Sequence, residues 1–552
     1  MTTIPVIWVD SHITCWDQAM VDAVLVGWSW PTGYEFEHHV HIRMGEYTDD
    51  PRPEPSTLTD GAVVVIPARH HADDIDDINQ VLSRLSWALV VLTSDEERVF
   101  PVEKLDHPNM LVWIQTPAAG DRADWVLPVG WPPHLPGLLR DIDYPERDGW
   151  FFAGQVNNRR RKECVEVLRE LDNGRLVETP GFTQGLAHDE YAAGLAHAKV
   201  VPCPSGPQTV DTFRVWEALE AGCIPVVDRE TPAGDQSWYW PLVTVGPQFP
   251  TIGSWRYFRT LAEDLEADWP RNANRISAWW QGYKRQLAVR VSDAVRGLSG
   301  VMPEPGDVTV LIPSSPIAAH PDTSLIETTV ASVRYWLPDA EIIVMCDGVR
   351  PEQEHYRQCY EEYLNRLLWL TGTRWDRVLP VVHDQHLHQV EMTRRAVDLV
   401  RTPLVLFAEH DCPIVTDCPI DFPALTAACL SGEADLIRFH HEALVLPDHE
   451  HLMLDREPQD IHGAPLLRTV QWSQRPHLAN TGFYRRLLAE DFSPDYIGMV
   501  EDKMHGVVES AWRDFGLAGW HRYRLWMYSP DGQIKRSYTL DGRGDDEKWP
   551  DS

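Results

Sequence analysis

The sequence has no cysteines spaced as CxxC; its nine cysteines are scattered through 552 residues. That disfavours a disulfide framework, and reduced thiols in a cytoplasmic protein are expected. No apolar run approaches the roughly 18 residues that a membrane span needs, so no membrane partner is expected. The opening "MTTIPVIWVDSH" carries no basic segment ahead of an apolar core, so no secretory signal is expected either. Cationic charge is scarce: 49 Lys and Arg against 83 Asp and Glu give a formal net charge of −34. A broad nucleic-acid footprint needs clustered Lys and Arg, so DNA ranks low as a partner. A local basic cleft stays compatible with that total.

Tryptophan, by contrast, is plentiful, with 24 residues. Indole faces can stack on sugar rings, but most of these residues are expected as core or interface packing. The chain is too long for one core. The stretch "RGLSGVMPEPGDV" (296–308) separates two periodic regions with Gly, Ser and Pro, and a weaker break lies in "DIDYPERDG" (141–149). The expected domains are therefore 1–145, 146–297 and 308–552, with a linker at 298–307. Each contains short apolar runs between helix-like segments. In the first these are "GAVVVIP", "WALVVLT" and "MLVWIQ"; in the second, "WFFAG", "KVVPC" and "CIPVVD"; in the third, "VTVLIP", "EIIVMCD", "VLPVV" and "PLVLFAEHD". Such alternation predicts an α/β fold of three Rossmann-like units with largely parallel sheets. Ligands then bind beyond the carboxyl ends of the strands.

The stretch "KVVPCPSGPQTVDTFRVWEALEAGCIPVV" (199–227) parses as strand, loop, helix, strand, with Asp211 as N-cap and Gly222 as the C-terminal stop. Arg214 and Glu217, three apart, share one helix face near its start. There they suit either a surface ion pair or a nucleotide, with Arg on phosphate and Glu on ribose hydroxyls. "DTFRVWEALEAGCIPVV" resembles the nucleotide-sugar motif of exostosin-type glycosyltransferases, which maps onto Arg214, Glu217, Gly222 and Pro225. "FFAGQVNNRRRKECVEVL" (151–168) is similar to the strand and basic turn opening the same unit, with Arg159 or Arg161 as phosphate contacts. The resemblance fades before residue 150. It implies a GT-B-like module over 1–297, in which two Rossmann-like halves flank a cleft. For a catalytic base in its first half only Asp10 and His12, in "WVDSH", offer themselves.

In the last domain, "LVLFAEHDCPI" (404–414) runs five apolar residues straight into Glu409-His410-Asp411. Two acids at a strand's carboxyl end suit Mn2+ or Mg2+, which neutralises charge building on a leaving diphosphate. Asp347 closes "IVMCD", placed to accept hydrogen bonds from a base or ribose. Glu501 and Asp502, in "MVEDKMHGVVESAW" (499–512), sit at a helix start, where the dipole favours acids whatever their role. As a general base, either would take the acceptor hydroxyl's proton. These motifs, in this order, resemble GT-A glycosyltransferases of the inverting family two. The resemblance favours Asp502 as base and Asp411 as the best metal ligand, since "EHD" departs from Asp-x-Asp at Glu409. Arg475, His477 and Asn480, in "RPHLANTGFYRR", lie between the metal and base motifs as acceptor or donor contacts. His521 is a candidate late metal ligand. "HDQHLHQ" (383–389) and "HHE" (440–442) are expected to be polar loops, not zinc sites.

Taken together, the resemblances imply a bifunctional, cytoplasmic glycosyltransferase of the hexosyl- or pentosyltransferase class. It would use nucleotide-sugar donors and a metal-dependent C-terminal module, as exostosins join a GT-B to a GT-A module. The alternative is one active GT-A centre with a glycan- or partner-binding first half. The general style also resembles glycosyltransferases of actinobacterial viruses, which implies host cytoplasm. Acceptors would then be a glycan, a protein or a modified nucleobase. A sugar nucleotidyltransferase is disfavoured, because the loop "PSSPIAAHPDTS" after the first strand of the last domain has neither Gly nor Lys.

Overall fold

The computed structural model describes residues 2–9, 21, 24–25, 30, 32–40, 60–118, 120–181, 184–243, 249–303, 306–440, 445, 447–532 and 535–540. The chain forms two compact units, Met1–Glu304 with Leu368–Asp376, and Pro305–Leu367 with Arg377–Ser552. Both are mixed α/β.

In the first unit, β1 (Thr2–Trp8), β2 (Tyr34–Val40), β3 (Ala62–Pro67), β4 (Ala88–Thr93), β5 (Met110–Gln115) and β6 (Trp125–Leu127) make a parallel sheet in the order β2-β1-β3-β4-β5-β6. Every residue of β3 and β4 is buried. A parallel strand covered on both faces needs such an unbroken apolar run, which is why these two read clearly in the sequence. A second parallel sheet follows: β7 (Trp150–Gln155), β8 (Gly174–Thr179), β9 (Val200–Cys203), β10 (Ile224–Asp228) and, after the small hairpin β11 (Glu230–Thr231) and β12 (Gly234–Asp235), β13 (Thr251–Ile252). Its order is β13-β10-β9-β7-β8. The edge strand β8 is largely exposed and reads as polar, so the sequence did not announce it.

Tryptophan serves packing here. Trp216, in helix Phe213–Glu220, lies 5.5 Å from Trp280 and 6.3 Å from Tyr283 by ring centroids, both on the 31-residue helix Trp269–Ser299. Beside them the Lys284 ammonium reaches Glu220 at 3.1 Å, and the Trp280 indole N–H donates to the same carboxylate at 2.9 Å. A buried charge pair persists only when satisfied in this way.

The second unit holds one nine-stranded sheet. Its strands are β14 (Val308–Ser314), β15 (Glu341–Cys346), β16 (Val378–Val382), β17 (Leu404–Phe407), β18 (Leu436–Phe439), β19 (Gln459–Ile461), β20 (Ala464–Arg468), β21 (His477–Asn480) and β22 (Leu525–Tyr528). The order is β16-β15-β14-β17-β21-β18-β22-β20-β19. Strands β14 to β17 are mutually parallel, and β21 enters antiparallel between β17 and β18. Strand order reverses beside β14, so the crevice of this sheet opens at the carboxyl ends of β14, β15 and β17. Among the described residues no helix is long and apolar enough to cross a membrane.

Candidate functional site

The second unit's crevice is built on the end of β17. Its four residues and Ala408 are buried, and the chain then turns through Glu409, His410 and Asp411. One ligand atom from each lies within 4.8 Å of the others. The turn is pinned by its backbone: Thr329 Oγ1 donates to the His410 carbonyl at 2.8 Å, and the Leu540 N–H to that of Asp411 at 2.9 Å. Asp411 is only 7% exposed. Two carboxylates this close, one of them buried, repel unless a cation or a proton intervenes. Two carboxylates and an imidazole on one turn fit a divalent ion.

At the end of β15, Asp347 is 2% exposed and its carboxylate serves the protein itself. Oδ1 accepts from the N–H groups of Leu387 (2.7 Å) and Gly348 (2.9 Å), and Oδ2 from that of His388 (3.1 Å). His386 Nδ1 lies 2.8 Å from Oδ2. Residues 383–387 are thus a loop latched onto Asp347, and helix His388–Leu399 begins directly after it. A Cβ on Gly348 would come within 2.3 Å of the Gln385 carbonyl carbon, so the latch needs glycine there. Its oxygens accept three backbone amides, so Asp347 organises this loop whatever it meets at the crevice.

The two acids at the start of helix Val500–Phe515 part company. Asp502 is exposed, and its Oδ2 accepts the Met499 N–H at 3.3 Å, closing the helix start. Glu501 is half-buried and accepts the Gln474 N–H at 2.9 Å. Its charge faces Arg438, a guanidinium 3% exposed whose pKa burial pulls down to about 10 while Glu501 opposes the fall. Of the two acids, Glu501 is thus the one turned into the fold, while Asp502, the one the resemblance favours, is bonded to its own helix start. Gln389 completes the arrangement: its Nε2 donates to Glu409 Oε1 at 2.7 Å, and its Oε1 accepts the Val500 N–H at 3.1 Å. Sequence reasoning passed over Gln389, Arg438 and Gln474. Gln389 was hidden in a run read as a polar loop, and the other two carry no local pattern.

The remaining C-terminal candidates divide. The Arg475 guanidinium sits beside the turn, bonded to Thr539 Oγ1 and 3.8 Å from Cys412 Sγ. His477 is a core residue instead. It is fully buried, stacked on Phe407 at 5.2 Å, with Nε2 2.9 Å from Tyr484 Oη. Asn480 caps helix Thr481–Glu490, accepting from the Phe483 N–H at 3.1 Å. Both side chains are spent on the fold. His521 lines a cavity with Asp435, which immediately precedes β18, and so lies at the opposite sheet edge from Glu409. Residues 441–442 of "HHE" lie outside the described residues.

Burial pushes the His477 imidazole down to about 4. A depressed histidine pKa contributes stability above the unfolded value of about 6.5, and that contribution is lost as pH falls toward the folded value. From pH 7 to pH 4 this group should cost the second unit roughly 3 kcal/mol. Urea unfolding across that range should show a shallower pH dependence in His477→Gln than in the wild type.

In the first unit the corresponding edge lies where β7 and β9 end. Arg161, in the first turn of helix Arg159–Leu168, donates through Nε to the Ser205 carbonyl at 3.3 Å. Burial and the neighbouring Arg214 charge lower its pKa to about 10, so two guanidiniums share this edge. Arg214 donates to the Ala153 carbonyl at 2.8 Å and lies over the Phe152 ring at 4.5 Å. Glu217 is 7% exposed and accepts the Tyr191 hydroxyl at 2.5 Å; burial raises its pKa. Arg159 is exposed and lies 3.7 Å from Glu163, away from that pair of cations in role if not in sequence. Asp211 is not the N-cap; Thr212 takes that place. The Asp211 carboxylate instead joins the two halves, accepting from the Val129 N–H (3.1 Å), Trp216 Nε1 (2.6 Å) and Tyr239 Oη (2.6 Å). Gly222 does end the helix, with φ 71°. Asp10 and His12 lie outside the described residues. At the carboxyl edge, Ser94 and Arg98 in the loop after β4 and Thr116 after β5 hold positive φ, and Glu96, in the loop after β4, acts electrostatically on Arg161. Residues held in sparsely populated backbone regions recur at functional sites, and here they lie after two neighbouring strands.

No family model matches this sequence, and no curated protein does. Among solved structures, S. aureus TarS 1-349 in complex with UDP-GlcNAc is similar at 12% identity over 42% of this chain and 58% of that one, with a TM-score of 0.26. Mannosyltransferase PcManGT from Pyrobaculum calidifontis, in complex with GDP-Man and Mn2+, is similar at 13% identity over 49% and 66%, TM-score 0.25. The bifunctional IspDF from Campylobacter jejuni is similar at 10% identity over 42% and 52%, TM-score 0.21. The chain thus spans less than two thirds of each, and its chemistry rests on its own residues.

Proposed function

We infer that the second unit is a glycosyltransferase that moves a sugar from a nucleoside diphosphate donor to an acceptor hydroxyl. The observation that carries this reading is the convergence of Glu409, His410 and Asp411 at the crevice of a parallel sheet, tied through Gln389 to the helix that bears Glu501. Glu409 and Asp411, with His410 beside them, would hold a Mn2+ or Mg2+ ion. When bound, such an ion neutralises charge on the leaving diphosphate. Glu501 accepts the acceptor hydroxyl's proton as its oxygen attacks the anomeric carbon. Arg475, next to the turn, adds a cation for the same diphosphate or for an anionic acceptor.

The first unit, on this reading, is a second nucleotide-sugar site. Arg161 and Arg214 take the diphosphate at the helix start, and Glu96 faces them from the other half. One observation favours the rival in which this unit binds without catalysis: Glu217 is buried against Tyr191 and has a fold-building role.

The test is release of nucleoside diphosphate from a panel of UDP-, GDP- and dTDP-linked sugars, with Mn2+ and with EDTA. Release from at least one donor, abolished by EDTA, is expected. Arg161→Ala with Arg214→Ala should leave that activity intact and remove a second, metal-independent nucleotide-binding event. Absence of release from every donor contradicts the reading.

A further inference from the structure

We propose that Gln389 is a positioning residue that couples occupancy of the Glu409–Asp411 turn to the geometry of the helix carrying Glu501. This rests on the metal reading above and goes beyond it, because it assigns one side chain the task of making two sites into one.

Helix Val500–Phe515 begins without a capping side chain on its N-cap residue, Met499, that suits the task; Asp502 reaches back to the Met499 N–H instead. The N–H of Val500, the first helical residue, would otherwise be an orphan donor, as helix starts leave their first amides unpaired. It is satisfied from outside, by Gln389 Oε1 at 3.1 Å. The other end of the same carboxamide donates to Glu409 Oε1 at 2.7 Å. Gln389 is buried, at the start of helix His388–Leu399, and the next residue reinforces the junction: the Val390 N–H donates to the Gly498 carbonyl at 3.2 Å. Its side chain therefore has little freedom to serve one partner without the other.

The choice of an amide follows from the two partners. Val500 offers a proton and Glu409 offers lone pairs, so a group with one acceptor and one donor is required. A carboxylate would serve the first partner and repel the second. A lysine would serve the second, cancel its charge, and abandon the first. Any force that moves or orients Glu409 is passed through two hydrogen bonds, of 2.7 and 3.1 Å, to the backbone beside Glu501. By linkage, whatever orders the start of that helix must also favour the geometry of Glu409 that binds the ion. Partners one step removed from a metal ligand typically change affinity 10–100-fold when lost.

The experiment uses the full chain and Mn2+ alone, with no sugar donor. Mn2+ affinity is read by electron paramagnetic resonance, and amide hydrogen exchange is followed over residues 499–504 with and without the ion. In the wild type, Mn2+ should bind and slow exchange at the helix start. Gln389→Met removes both hydrogen bonds: affinity should fall about 10–100-fold, and saturating Mn2+ should no longer slow that exchange. Gln389→Glu keeps an acceptor for Val500 and loses the donor to Glu409. It should retain the ion-free exchange rate of the wild type at Val500 while its Mn2+ affinity departs from it. That variant also guards against a folding defect in Gln389→Met. The coupling is overturned if Gln389→Met binds Mn2+ as the wild type does, or if Mn2+ slows its helix exchange equally. If the wild type itself binds no Mn2+, the reading of the turn has failed first, and the coupling with it.

Discussion

Asp411→Asn is expected to lower metal-dependent donor cleavage by about 10³-fold or more, with no loss of thermal stability. The first half follows from the ion's share of the reaction: charge neutralisation is worth several kcal/mol, and each 1.36 kcal/mol is about tenfold in rate. An amide of the same shape keeps the space filled but weakens the ligand. The second half follows from burial. Asp411 is 7% exposed beside Glu409, so removing its charge relieves repulsion within the ion-free protein. Its backbone carbonyl, which holds the Leu540 N–H, is untouched. A melting temperature equal to or above that of the wild type, together with loss of cleavage, separates a functional acid from a structural one. A variant that is less stable and still active would put Asp411 in the fold, not the chemistry.

The second large effect is a contrast between neighbours. Glu501→Gln should reduce acceptor transfer by about 10²–10⁴-fold, the usual contribution of a general base. Donor binding should change little. Asp502→Asn should leave transfer nearly intact and cost at most about 1 kcal/mol of stability, the scale of a helix-start interaction. The reasons are positional. Glu501 turns inward to the Gln474 N–H and the field of Arg438, whereas Asp502 is exposed and bonded to its own helix start. Steady-state rates for both variants with one acceptor decide the matter. If Asp502→Asn were the damaging change, the sequence ranking would stand and the geometric one would fall.

These two neighbours show where the sequence stops being legible. Strands β3, β4, β14, β15 and β17 are parallel strands buried over nearly their whole length, so each carries a largely apolar run that can be read directly. The same logic exposed Glu409 and Asp411, because acids that end such a run stand at the crevice of the sheet. Strand β8 lies at an edge and left no such trace. Two adjacent acids at a helix start cannot be ranked from their order, since helix phase is fixed by distant contacts. Here those contacts are Gln474 and Gln389, the latter 111 residues from the amide it caps. Asp211 failed as an N-cap for a related reason. Its local pattern suits a cap, but Val129, Trp216 and Tyr239 offer its carboxylate three donors that only the folded unit brings together. Sequence separates residue types by spacing; it does not say which of two equivalent oxygens a buried amide will claim.

The measurement that bears most directly on the central claim is anomalous diffraction from crystals of the full chain grown with Mn2+ and a nucleoside diphosphate. The account predicts one Mn2+ peak within bonding distance of the Glu409 and Asp411 carboxylates, with the diphosphate on its far side and Glu501 facing the open crevice. A diphosphate bound in the second unit with no metal at that turn, or Mn2+ bound only elsewhere in the chain, would contradict it.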